Sequence, residues 1–167
     1  MVARPLDIHF LWIAPFFEFT SDIKYMAYTL SLNDQLNESD PDAVFIVAQL
    51  AAYNRQYAPA DQHRLFNILL RDEQGQLAGG LLAETYWGWL GIKILWLSED
   101  ARRQGWGSRM MRAAEAEGLR RGCHHAQVDT MSFQAPEFYL KLGYEVWGVL
   151  DDLPTGHSRI FYKKKLS

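Results

Sequence analysis

The sequence predicts a mixed α/β fold, one sheet with helices packed on its faces. Three observations carry that expectation. Leu90 to Leu97 (LGIKILWL) is a nearly continuous apolar run rich in β-formers, as a central strand covered on both faces requires. Gly107 to Arg121 keeps Met110, Met111, Ala114 and Gly118 on one helical face and crowds Arg109, Arg112, Glu115, Glu117, Arg120 and Arg121 elsewhere. Around these two, the segments follow the order hairpin, central strand, helix, strand, helix, two strands.

Near the start, Phe10 to Phe17 (FLWIAPFF) is apolar but interrupted by Pro15, followed closely by Glu18 and too short to span a bilayer. It is expected to pack on this domain or on a partner subunit. Asn33 to Asp42 (NDQLNESDPD) reads as a loop. A helix over about 42–55 should follow, with Asp42 capping its first turn and Val44, Ile46, Val47, Leu50 and Ala51 at helical spacing.

Arg64 to Leu70 and Leu77 to Trp87, joined by the turn Asp72 to Gln76, predict a β-hairpin. In the central strand, Lys93 breaks the apolar run, so its amine must reach an edge or a carboxylate. Gly122 is a natural stop for the helix that ends near Arg121. Ala126 to Met131 then reads as a strand, Pro136 to Leu142 as a short helix stopped by Gly143, and Glu145 to Leu150 and Ser158 to Lys164 as two further strands.

With 167 residues, 49% of them apolar, the chain has about one domain's worth of core. Its net charge of −3 gives no general attraction to nucleic acid or to anionic membranes, so neither is expected as a partner. Cys123 is the single cysteine, which excludes an intramolecular disulfide and fits a reducing cytoplasm. His124 and His125 follow it, yet neighbours on a strand face opposite ways and no second Cys/His cluster completes a shell, so no metal is expected.

The stretch Leu97 to Ser108 (LSEDARRQGWGS) carries the chemistry. A strand runs through an Arg-rich turn with Gly105 and Gly107 directly into a helix start. Unpaired amides and the positive end of the helix dipole favour an anion there, and glycines let backbone approach a phosphate. Arg102 and Arg103 are placed to add charge-assisted contacts. Neither a Walker ending nor a Rossmann fingerprint is present.

Arg102, Gly105 and Gly107 resemble the R/Q-x-x-G-x-G/A loop of the GNAT superfamily of acyl-CoA-dependent N-acetyltransferases. Downstream, Ala135 to Tyr144 (APEFYLKLGY) resembles that family's A-x-x-x-Y-x-x-x-G-[FY] segment. The resemblance covers about residues 26–166. It implies residues 1–25 as an N-terminal extension and 26–167 as the acetyltransferase domain, with a mixed, mostly antiparallel central sheet splayed at the CoA site and flanked by helices.

The same resemblance implies direct transfer of acetyl from acetyl-CoA to a primary amine of a small molecule or peptide. Tyr139 would be the general acid, protonating a thiolate of similar conjugate-acid strength. Trp96 and Leu97 would hold the pantetheine arm, and Arg103, Gln104, Gly105, Trp106, Gly107 and Ser108 the pyrophosphate. Ser132 stands where relatives often have asparagine, a further candidate CoA contact. Glu84 is the first candidate general base, although pairing with Lys93 explains it equally well; Asp129 and His157 follow. Tyr53, Tyr86, Trp87, Trp89 and Phe133 are candidates for an aromatic acceptor site suited to a flat or cationic amine. A homodimer is expected by analogy. An acyl-CoA sensor of the same fold, without turnover, is the alternative implied class.

Overall fold

A computed structural model of the chain describes residues 23–25, 28–35, 37, 39–60 and 62–167. The apolar segment at Phe10 to Phe17 lies outside the described residues. The chain divides into two compact units, Met1–Ala52 and Tyr53–Ser167.

In the first unit, β1 (Ile23–Tyr25) and β2 (Tyr28–Leu30) form a two-stranded antiparallel sheet that the sequence reading did not anticipate. Helix α1 (Pro41–Asn54) starts in this unit. Its cap is Asp40 and not Asp42: the Asp40 carboxylate accepts the amides of Asp42 at 2.9 Å and Ala43 at 3.4 Å. Pro41, with no N–H to satisfy, fits the first helical position and moves the cap one residue ahead of it.

The second unit holds a six-stranded sheet in the order β3-β4-β5-β6-β8-β7. These strands are β3 (Arg64–Arg71), β4 (Leu77–Tyr86), β5 (Trp89–Leu97), β6 (His125–Met131), β7 (Glu145–Asp151) and β8 (Ser158–Lys165). All neighbours are antiparallel except β5 and β6, which run parallel through the crossover helix α2 (Trp106–Arg120). The short helix α3 (Pro136–Lys141) follows β6.

One face of this sheet makes the core. Leu81, Ala83, Leu90, Ile92, Ala126, Val128 and Tyr162 alternate along the strands and meet Met110, Met111 and Ala114 of α2 and Tyr139 of α3 in one buried cluster. Both helices end in the same glycine device. Gly122 and Gly143 take left-handed backbone, and the following amides, Cys123 and Tyr144, reach back to the carbonyls of Gly118 and Tyr139 at 2.9 and 3.1 Å. The second of these turns brings Tyr144 to the ring of Tyr139, 6.2 Å between centroids.

Against the expectation of a strand covered on both faces, β5 is buried only in its first half. Leu90, Gly91 and Ile92 are buried, whereas Ile94 is 54% and Trp96 48% exposed. Lys93 is the reason: Leu82 pairs Ile94 while Ala83 pairs Ile92, leaving Lys93 as a bulge that re-aims every later side chain. Among the described residues no group of His, Cys, Asp or Glu is arranged to hold a metal ion, and no helix is long and apolar enough to cross a membrane. His125 stacks on Trp89 at 4.7 Å, and Cys123 is buried.

Candidate functional site

Pairing between β5 and β6 stops at Ile92 and Val128. Beyond that row the strands part. Ile94–Leu97 stay bonded to β4 on one edge, while Asp129, Thr130 and Met131 stay bonded to β8 on the other. Amides alternate between the two edges of a strand. Because the Ser98 amide donates to the Ala78 carbonyl of the β4 side at 2.9 Å, the amides of Leu95 and Leu97 point the other way, into the gap.

At the end of this open edge the chain turns through Ser98–Gly105. The Arg102 guanidinium donates from Nε to the Leu97 carbonyl at 3.0 Å, and the Gln104 side-chain amide donates to the Asp100 carbonyl at 2.6 Å, so both side chains close the turn. Gly105 sits at the helix cap with φ 82, a conformation costly for any other residue. It offers no capping side chain, and the first helical bond runs from the Arg109 amide to the Gly105 carbonyl at 3.1 Å. The amides of Trp106, Gly107 and Ser108 therefore project from the start of a 15-residue helix, the arrangement that binds phosphate. Gly107 also stands at a close approach: a Cβ there would meet the Phe138 ring at 3.2 Å, so a larger residue would require that ring to shift by a few tenths of an ångström. Arg109 lies over the Trp106 ring at 4.7 Å.

Tyr139 comes from α3 and is 7% exposed, its ring set against Phe138, Tyr144 and Tyr162 at 5.1–6.2 Å. Burial first, then the charge of Asp129, pushes its hydroxyl up to about 12. The expectation of a phenol near its ordinary value is thus corrected. A phenol raised in this way stays protonated and is able to donate a hydrogen bond to a thiolate developing beside it.

Glu84 faces the side of the sheet away from the core, and both of its oxygens are engaged. Lys93 sits at 2.7 Å from one and His63 at 3.1 Å from the other. Burial alone would raise this carboxyl, but hydrogen bonds from Lys93 and His63 outweigh it and hold it below the ordinary range. With both oxygens engaged by cationic partners, the geometry favours the ion-pair alternative over the base. Asp129 is likewise paired, 2.6 Å from Arg159 Nε.

The candidate acceptor aromatics divide. Tyr86, Trp87 and Trp89 meet in a cleft of about 480 Å³ on the open face of the sheet, together with Gln127, Lys163 and Trp147. Tyr53 instead lies against Tyr57 at 5.1 Å, and Phe133 against His157 at 4.9 Å, and neither lines that cleft. Trp147 escaped the sequence reading because it is itself a bulge residue: Val146 pairs Tyr162 while Gly148 pairs Phe161. Ser132 is occupied within the fold, its hydroxyl accepting the Ser158 amide at 3.1 Å. A second cleft of about 520 Å³, lined by Pro59, Thr85, Arg121 and Cys123 among others, opens at the C-terminal end of α2, far from the phosphate-type helix start.

Comparison with known proteins agrees with this geometry. Residues 12–144 match the model of the acetyltransferase (GNAT) family. Blasticidin-S acetyltransferase of Streptomyces morookaense is 41% identical over 95 residues, covering 56% of this chain and 70% of that protein. An acetyltransferase of Agrobacterium fabrum is 34% identical over 116 residues, 70% of this chain and 85% of the relative. The crystal structure of an acetyltransferase from Bacillus cereus superimposes with a TM-score of 0.73 at 32% identity, covering 78% of this chain and 96% of that one.

Proposed function

The chain belongs to the GNAT acetyltransferase family and is an N-acetyltransferase that uses acetyl-CoA; from that premise we propose that it acetylates the primary amine of a small molecule by direct attack in a ternary complex. The observation that carries this reading is the parting of β5 and β6 beyond Ile92 and Val128, with the start of α2 close to Leu97 at one end of the gap and Tyr139 in the buried cluster that includes Ile92 and Val128.

In this reading the amides of Trp106, Gly107 and Ser108 hold the pyrophosphate, with the positive end of α2 behind them. The Leu95 and Leu97 amides, facing the gap, hold the pantetheine arm and polarise the thioester oxygen. The neutral amine attacks the carbonyl carbon; a C–N bond forms, the C–S bond breaks, and the proton lost by nitrogen ends on the departing CoA thiol. Tyr139, protonated throughout the working range, donates a hydrogen bond to the sulfur as charge develops on it. Glu84 acts through Lys93 and His63 as a positioning residue. The single cysteine and the apolar N-terminal segment support a cytoplasmic homodimer, which light scattering of the purified chain tests.

Calorimetric titration with acetyl-CoA tests the site itself. Wild type should bind, and Gly105→Glu, which sets a like charge before the pyrophosphate, should weaken binding at least about 100-fold while remaining folded by circular dichroism. Binding without release of free thiol across an amine library would favour a sensor; no binding by the wild type would remove the acyl-CoA site.

A further inference from the structure

We propose that the acceptor is an amine carrying a flat ring and an anionic group, bound in the open-face cleft of Tyr86, Trp87, Trp89, Trp147, Gln127 and Lys163. This inference rests on the acetyltransferase reading above and specifies its substrate class. The cleft has the volume of a single small-molecule site, about 480 Å³. Its near edge is Gln127, which pairs Gly91 next to the last paired row of Ile92 and Val128, so a ligand that extends from the indoles past Gln127 reaches the start of the gap about two residue steps, roughly 7 Å, further along the strand.

Two of the aromatic walls stand outside the buried core, Trp87 being 45% and Trp147 55% exposed. Trp87 and Gly88 form a two-residue turn with φ values of 44° and 76°, a turn that ordinarily takes asparagine and glycine. A bulky side chain there is strained, and its indole N–H is pinned to the Pro59 carbonyl at 2.8 Å. Trp147 stands on the bulge of β7, 55% exposed, with its ring 5.7 Å from Phe161. Trp89 adds a third indole, stacked on His125. Three indoles and a phenol around one cleft favour a planar ligand.

The charge of that ligand follows from the lysines. Lys93 is paired with Glu84, and Lys164 with Glu115 at 2.9 Å. Lys163 stands between Gln127 of β6 and Glu145 of β7 and lines the cleft, and no ion pair between it and Glu145 is formed among the described residues. An ammonium beside aromatic walls repels a purely cationic ligand and attracts a carboxylate or similar anion. The Gln127 amide, held by its hydrogen bond to the Tyr86 hydroxyl at 3.2 Å, supplies a neutral polar contact between them.

Titrating CoA-saturated protein with 4-(aminomethyl)benzoate, benzylamine and n-hexylamine, followed by tryptophan fluorescence and calorimetry, tests this. The benzoate should bind at least about tenfold tighter than benzylamine, and benzylamine tighter than hexylamine. Lys163→Met should erase the first difference only. Trp147→Ala should weaken both ring compounds about tenfold and leave hexylamine unchanged, with Trp147→Phe restoring most of the loss. Equal affinities for all three amines, or an unchanged ranking in Lys163→Met, overturn the proposal, including the case in which another segment of the chain or a second copy fills the cleft. Failure of the ranking with acetyl-CoA binding intact removes the substrate class alone; loss of acetyl-CoA binding removes the enzymatic reading beneath it.

Discussion

The two halves of β5 are similarly apolar in sequence, Trp89–Ile92 and Lys93–Leu97, yet they meet opposite fates. The first half is bonded on both edges, to β4 and to β6, and is almost wholly buried. The second keeps β4 alone and exposes Ile94 and Trp96. Apolarity decides that a segment becomes strand; a single bulge at Lys93 and the end of one parallel ladder decide what the strand is for. The first half holds the fold together. The second offers two backbone donors, Leu95 and Leu97, which in our reading are kept for the cosubstrate.

Substitutions in each half sharpen this contrast. Leu90→Ala, at a side chain with no exposure, should cost about 3 kcal/mol in urea unfolding, the ordinary result of a cavity in a closed core. Tyr139→Phe keeps the ring packing and removes only the hydroxyl, so kcat should fall about 10- to 100-fold with the acetyl-CoA Kd unchanged. Equal activity of that variant would withdraw the hydrogen bond to sulfur.

The junction between the halves should show in pH dependence. The Glu84 carboxyl is lower when folded than its ordinary 4.5, so the stability it contributes is complete above that value and is lost as pH falls through the folded value. Lys93→Met removes the nearest cation and brings the folded value back toward the ordinary one, so its melting temperature, lower than wild type at pH 7, should fall less steeply than wild type in a series from pH 7 to 3. Coincident acid limbs would mean that the pair contributes nothing. Smallest of all, Trp96→Ala should change stability by less than about 1 kcal/mol, because its side chain stands on the exposed face.

Most of the second unit was legible because its elements are long and strongly periodic. The strands and helices from Arg64 onward lie within a residue or two of their expected bounds. The phosphate-type loop was legible too, since Gly105 and Gly107 are there for local reasons, a left-handed cap and a close approach to Phe138. What escaped were matters of register. Lys93 and Trp147 are bulges, visible only once a partner strand is in place, and each turns its neighbours to the other face. That is why Trp147 was not expected in the cleft, and why Tyr53 and Phe133, aromatic but placed elsewhere, were. β1 and β2 span three residues each, too short to leave a periodic trace.

Amide hydrogen exchange along β5, measured with and without acetyl-CoA, tests the division of this strand most directly. Added protection is expected at Leu95 and Leu97, with no change at Leu90–Ile92, which pair with strands on both edges. Protection spread evenly over Trp89–Leu97, or no change at Leu95 and Leu97 at saturating acetyl-CoA, would contradict it.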